Sequence, residues 1–327
     1  MCYVKFFTRR VRVIYMLAAF LAAVVMAVVM INDRLVLSSG DDPVLSNSLQ
    51  ALVISSTLPA GALIYALVGD LPPIPMAYTI GAFAAGAMWV VSNGAYFRLT
   101  QIATSFDEVA FWDAQTPIFI AILGLMFGIE LVPMYWVGIM ILATTLGSTR
   151  WLFGGGAKSG STGLGYKALL VLHVGTLVFA LLGFDVLLKQ LGEESYQTLL
   201  VAYLSGQSLG FFALFSKELR ANFHTDAPKI KRLWWALLVG ETAYVISLAL
   251  WTYSMNGYPG AATSALAGGY PLLILAAGPL VRRLPFFQRF GDVAAAFPPV
   301  EGSPWKKALI LAGEAIGAAF LRPLPRR

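Results

Sequence analysis

The chain has 327 residues, 58% of them hydrophobic and 12% charged, with a mean hydropathy of +0.73 and a net charge of +6. A soluble domain carries about 25% charged residues, so this composition excludes a water-covered globular fold. The single cysteine, Cys2, excludes a disulfide framework, a cysteine-ligated metal and C-x-x-C redox chemistry, and the two histidines, His173 and His224, stand too far apart in sequence for a helical metal pair.

The apolar residues fall in blocks of about 20, the length that carries a helix across roughly 30 Å of hydrocarbon. Every backbone polar group in lipid must be satisfied internally, so each block reads as a helix. The first, Val11–Ile31, follows Lys5, Arg9, Arg10 and Arg12. It is longer than a signal-peptide core and has no small-x-small cleavage site before "NDRL", so it reads as a retained span. Spans 2 to 5 are expected at Leu49–Leu67, Ile74–Phe97, Phe106–Phe127 and Met134–Phe153. Next comes "GGGAKSGSTG", residues 154–163. A phosphate loop needs a glycine directly before its lysine, and here Ala157 precedes Lys158. The stretch therefore reads as a flexible linker, 154–165. Spans 6 to 10 are expected at Tyr166–Lys189, Tyr196–Phe215, Leu233–Met255, Gly260–Val281 and Trp305–Leu321, with breakers "NGYPG" and "FPP" between them.

The two sets of five echo each other. Asp33 is followed seven residues later by Gly40-Asp41-Asp42, and Asp185 seven later by Gly192-Glu193-Glu194. Pro117 in span 4 and Pro271 in span 9 keep nearly the same offset. Two tandem units of an odd number of spans cross the membrane in opposite senses. The expected fold is an all-α polytopic membrane protein, ten transmembrane helices as two inverted five-helix repeats, 1–153 and 166–327.

In spans 4 and 5, "TPIFIAILGLMFGIELVPMYWVGIMILATT" (residues 116–145) resembles the drug/metabolite transporter superfamily, of the EamA-like ten-helix kind. The family's helix-4 proline, the glutamate at that helix's end and the glycine of helix 5 fall on Pro117, Glu130 and Gly138. The second repeat keeps Pro271, but Leu284 stands where the glutamate would be, and "PFFQRFGDVAAAFPPVEGSP" precedes span 10. The resemblance implies a secondary transporter, typically an exporter of amino acids, nucleobase-like metabolites or amphipathic drugs, with no cofactor.

Ionisable groups inside a span are costly, about 2.5–3.5 kcal/mol each at mid-helix, so each needs a reason. Counted from the side that holds connectors 1–2, 3–4, 5–6, 7–8 and 9–10, His173, Asp113, Glu241 and Glu314 fall roughly 10–14 Å deep at 1.5 Å per residue. Four helices thus put their deepest titratable group in one layer near the midplane, where transporters bind substrate and coupling ion. Desolvation there favours the neutral form of a carboxylate, as proton coupling requires. Glu241 is the first candidate, with Tyr244, Leu248 and Trp251 at helical spacing behind it; that face could hold a flat or cationic substrate. Asp113 sits before the kink-forming Pro117, and Trp89, Asn93 and Tyr96 form a polar-aromatic stripe on span 3. Tyr270 stands at the break before Pro271, beside Gly268 and Gly269, and Gln207 is a further candidate for lining. Pro117 and Pro271 are the expected hinges or gates. For His173 and Glu314 an interhelical hydrogen bond competes with a role in transport, and for Asp113 a watery vestibule beside Asp107 and Glu108 is the competing reading.

The expected partners are a small-molecule substrate, a proton and the lipid bilayer, with no nucleic acid, in a monomer or homodimer. The expected location is the bacterial inner membrane. Orientation is undecided: the connector side carries 15 Lys and Arg against 8 on the side of the termini, whereas the basic flank of span 1 points the other way. Two other functions remain open, a membrane-embedded enzyme of lipid metabolism and a non-transporting assembly subunit.

Overall fold

Helices make up the structure, and no strand occurs among the described residues. The structure is a computed structural model and describes residues 2–38, 43–102, 109, 112, 113, 115–152, 164–290 and 304–322. Most of the glycine-rich linker, Asp107, Glu108 and most of the insertion before span 10 lie outside the described residues.

Among the described residues six helical stretches are long and apolar enough to cross a membrane, and they correspond to expected spans 1, 2, 3, 6, 7 and 8. Helix α1 (Cys2–Ser38) shows why: Ile14, Leu17, Leu21, Val24 and Val28 line one exposed face, while Ala19, Ala22, Met26 and Val29 are buried. An apolar outer face suits lipid and would be untenable in water. The second span is broken into α2 (Ser48–Ser55) and α3 (Thr57–Val68). At the break, Ser55 and Ser56 both donate to Leu52 O and Thr57 donates to Ile54 O, so hydroxyls replace the backbone partners that a kink removes. Asn47 starts α2 with a capping box closed by Gln50. Helix α4 (Met76–Ile102) is continuous.

In span 4 the structure describes α5 (Thr116–Met126), with Trp112 and Asp113 helical before a turn at Gln115, and α6 (Pro133–Leu152) follows. Span 6 is α7 (Leu164–Leu191), and span 7 begins as α8 (Tyr196–Gln207) and continues as a 3-10 segment, Ser208–Phe215. Helix α9 (Lys217–Ser254) begins well before the expected span 8, carries Pro228, and kinks at Leu233. Span 9 is divided into α10 (Gly260–Ala267) and α11 (Tyr270–Arg283), and the last helix is α12 (Pro304–Phe320). Thus the helices of spans 5 and 10 match their expected bounds to within one residue, whereas spans 4 and 9 are interrupted. The breaks in 4 and 9 fall just before Thr116-Pro117 and Tyr270-Pro271, because proline has no N–H for the carbonyl four residues back and its ring clashes with that carbonyl.

Packing pairs the halves crosswise. Helix α1 packs along α9, and α4 packs along α7 and α8; α3 meets α8, α5 meets α10, and α6 meets α12. At the α4–α8 crossing the backbones touch: a Cβ on Gly86 would lie 1.9 Å from Tyr203 O, and one on Gly206 would lie 2.0 Å from Phe83 O. The connectors sort to two ends. At one end Ser46 donates through N and Oγ to the buried Asp226, Lys229 reaches Pro43 O, and Gln101 reaches Ser46 O. At the other, Tyr15 bonds Glu193, and Lys189 bonds the carbonyls of Met255 and Tyr258. The N-terminal half of α1 belongs to this second end.

Candidate functional site

Between these ends lies a cavity of about 60 Å³. Helical spacing explains what lines it. Trp89, Ser92, Asn93 and Tyr96 share one face of α4; Met26, Val29, Met30 and Asp33 share one face of α1; Glu241, Tyr244 and Trp251 come from α9. His173 comes from α7, Asp113 and Thr116 from the break in span 4, and Gly268 and Tyr270 from the break in span 9. Where the helices are interrupted, side chains and backbone can turn into the bundle interior.

Two polar networks border the cavity. In the first, His173 Nε2 meets Asp113 Oδ1 at 2.7 Å, and Tyr270 donates its hydroxyl to Asp113 Oδ2 at 2.6 Å. His173 Nδ1 lies 3.1 Å from Ser92 O and 2.9 Å from Ser92 Oγ, and that hydroxyl donates to His173 O at 3.0 Å. A backbone carbonyl only accepts, so the hydrogen-bond pattern assigns a proton to Nδ1. A second proton is then shared along the axis between Nε2 and Asp113. The His173 and Asp113 side chains are 5% and 9% exposed, so the pair is shielded from bulk water and faces the cavity.

In the second network Asn93 Nδ2 donates to Tyr244 Oη at 3.3 Å, and Tyr244 donates to Gln207 Oε1 at 2.7 Å. Trp251 Nε1 donates to Ser264 Oγ at 3.3 Å. Trp89 stands edge-on to Trp251, with ring centroids 6.1 Å apart, and tilts against Tyr244 at 6.5 Å. These bonds fix Tyr244 and Trp251 in place. Among the described residues, the enclosed Trp89 Nε1 and Glu241 Oε2 have no hydrogen-bond partner.

The structure therefore brings Glu241, Asp113, Tyr244, Trp251, Asn93, Trp89, Tyr270 and His173 to one cavity. Glu314 stands apart from the lining and abuts the break in span 9, where a Cβ on Gly269 would meet its Oε1 at 2.5 Å. Gln207 is buried behind Tyr244. Pro117 and Pro271 occupy the first turns of α5 and α11, beside the cavity breaks. Asp33 joins the lining although sequence reasoning treated it only as a repeat marker; its depth near the end of span 1 was the available signal. Its repeat counterpart, Asp185, is wholly buried at the second end and accepts from Gly260 N, the first residue of α10, at 2.7 Å. Among the described residues no group of three or more His, Cys, Asp or Glu is arranged to hold a metal ion.

No protein-family model matches this sequence, and no curated protein matches it.

Proposed function

We infer that this chain is a secondary transporter, an exporter of a small metabolite or of an amino-acid-like or drug-like amphiphile, coupled to protons. The observation that carries the reading is the convergence of Asp33, Asp113, His173 and Glu241, from separate spans, on one cavity inside an otherwise apolar bundle. Such groups are costly in a membrane and are retained where ions or substrates pass.

Two features support the inverted-repeat form of the reading. Exchanging spans 1–5 for 6–10 turns the α1–α9 contact into the α7–α4 contact, and pairs α3 with α8, α5 with α10 and α6 with α12. The repeat-related aspartates also have unlike surroundings: Asp185 caps α10 at one end, and Asp33 faces the cavity. Unlike states of equivalent elements are what alternating access requires. The resemblance at Pro117, Glu130 and Gly138 to drug/metabolite transporters agrees with this, as does the close packing of Gly138 on Leu321 of the last span.

The test compares metabolites inside and outside cells overproducing the wild type and Glu241→Gln. Release by the wild type alone supports the reading and puts Glu241 on the path. Release by both keeps the transporter and gives Glu241 a structural role. No difference from empty cells, with the protein present and folded, overturns the reading.

A membrane-embedded hydrolase is the second reading, favoured by the contact chain Ser92–His173–Asp113. Against it, Ser92 is wholly buried and its hydroxyl proton is committed to His173 O. Covalent labelling of Ser92 by a fluorophosphonate would revive it.

A further inference from the structure

Two carboxylates in the cavity lack a counter-charge. Asp33 takes part in no hydrogen bond or ion pair among the described residues, and Glu241 Oε2 is enclosed without a partner. The two are near enough for their charges to repel. Among the described residues neither lysine nor arginine lines the cavity. Arg34, the neighbour of Asp33, extends its guanidinium to Thr100 O at 3.4 Å, and the imidazole of His173 is engaged by Asp113. A desolvated carboxylate without a partner is among the most costly arrangements in a protein interior, and either a proton or a cation that displaces that proton relieves it.

An independent feature points to what relieves it. The rings of Trp89, Tyr96, Tyr244 and Trp251 surround the same space, and the thioethers of Met26 and Met30 complete its wall. Tyr96, Tyr244 and Trp251 are held by hydrogen bonds from their own polar edges and Trp89 by ring contacts, and aromatic faces beside unpaired acids form the environment in which ammonium groups bind. Other substrate classes fit less well. An anion would meet two carboxylates. A zwitterion would need a second, basic contact for its own carboxylate, and the lining offers none. A neutral amphiphile would leave both acids unpaired. A volume of about 60 Å³ also favours a small head group, since a drug-sized ligand fills roughly 300–1,000 Å³.

We propose that the cavity binds a small organic monocation, an alkylammonium group seated between Asp33 and Glu241 against the rings of Trp89, Tyr244 and Trp251. This names the substrate class of the site described above and, as to transport, rests on that reading. Asp33 thereby becomes a binding residue equal in importance to Glu241.

The test uses the full chain in lipid nanodiscs and follows the thermal unfolding midpoint against n-propylammonium, n-propanol and propionate, at constant ionic strength set with sodium chloride. A ligand that binds the folded state raises the midpoint by mass action. The expected result is a rise with propylammonium, an apparent affinity for propanol at least about tenfold weaker, and no effect of propionate. Asp33→Asn and Glu241→Gln should each weaken propylammonium binding about tenfold. Asp33→Glu and Glu241→Asp, which keep the charge, should stay within about threefold and so separate loss of charge from loss of fold. Equal binding of propanol and propylammonium, no propylammonium effect at all, or unchanged affinity in both neutral variants overturns the proposal. The two readings fail separately. Binding by a protein that moves no propylammonium across vesicles counts against transport alone. Export of some other solute that propylammonium does not inhibit counts against this site alone.

Discussion

Asp113 is held from both sides of its carboxylate, by His173 on Oδ1 and by Tyr270 on Oδ2. Hydrogen bonds to charged groups contribute about 1.5–3 kcal/mol, and a buried acceptor has no water to replace a lost donor. Tyr270→Phe removes the donor and keeps the ring, so it should lower stability by about 1.5–3 kcal/mol, measured by denaturant unfolding in detergent. A loss below about 0.5 kcal/mol would mean that the hydroxyl does not hold Asp113. At this scale much of the cavity lining was legible. Glu241 and Asp113 stand out because charge inside an apolar run needs a reason, and Tyr244 and Trp251 follow from helical spacing. Asp33 was harder to find because it lies at the margin of its span, where a charge resembles the start of a connector. Glu314 lies outside the lining. Its depth matches the others, but depth does not say which way a side chain points around the helix.

Elements pack as closely as their smallest residues allow, and the α4–α8 crossing makes this testable. A methyl on Gly86 would collide with Tyr203 O at 1.9 Å, and backbone cannot step aside as a side chain can. Gly86→Ala should therefore cost about 1–3 kcal/mol by overpacking. Gly175 on α7 has nothing within 4 Å of its added Cβ, so Gly175→Ala should be neutral or stabilising by up to about 1 kcal/mol, the helix preference of alanine over glycine. Unfolding free energies of the two variants give the comparison, and equal effects would refute the close crossing. The prolines announced the breaks in spans 4 and 9. The breaks in spans 2 and 7 are marked less plainly, by Pro59 one turn past the first and Gly206 beside the second; at the bends themselves the hydroxyls of Ser55, Ser56 and Thr57 in one case, and of Ser205 and Ser208 in the other, donate to preceding carbonyls. Such hydroxyls also occur in straight helices, which hides them in a sequence. Likewise, the polar first turns of α9 read as connector because they are mostly exposed; the buried Asp226 ties them to the 43–47 loop, through Ser46.

For the whole molecule the question is which end admits water to the cavity. The end that holds the N-terminal half of α1 is tied shut by contacts between distant segments: Asp185 with Gly260 N, Lys189 with the carbonyls of Met255 and Tyr258, and Tyr15 with Glu193. A thiol in the cavity should therefore react from the opposite end. Cys2 is the only native cysteine, so Cys2→Ser provides the background for Asn93→Cys, whose position lines the cavity. With an N-terminal tag marking orientation, a charged methanethiosulfonate should label this cysteine at least about tenfold faster from the face opposite the tag. This prediction holds whichever way the protein sits in its membrane. The tie at Asp185 can then be tested in the same background. Asp185→Leu keeps the bulk of the side chain and leaves Gly260 N–H buried without an acceptor, a penalty of about 1–3 kcal/mol on the closed arrangement. At about 1.4 kcal/mol that penalty is a tenfold shift in population, so labelling from the tagged face should accelerate by about that factor while labelling from the far face falls or stays level. Faster labelling from the tagged face in the parent protein would mean that these contacts do not seal that end. An Asp185→Leu variant with unchanged rates on both faces would mean that the bond to Gly260 caps α10 without governing access.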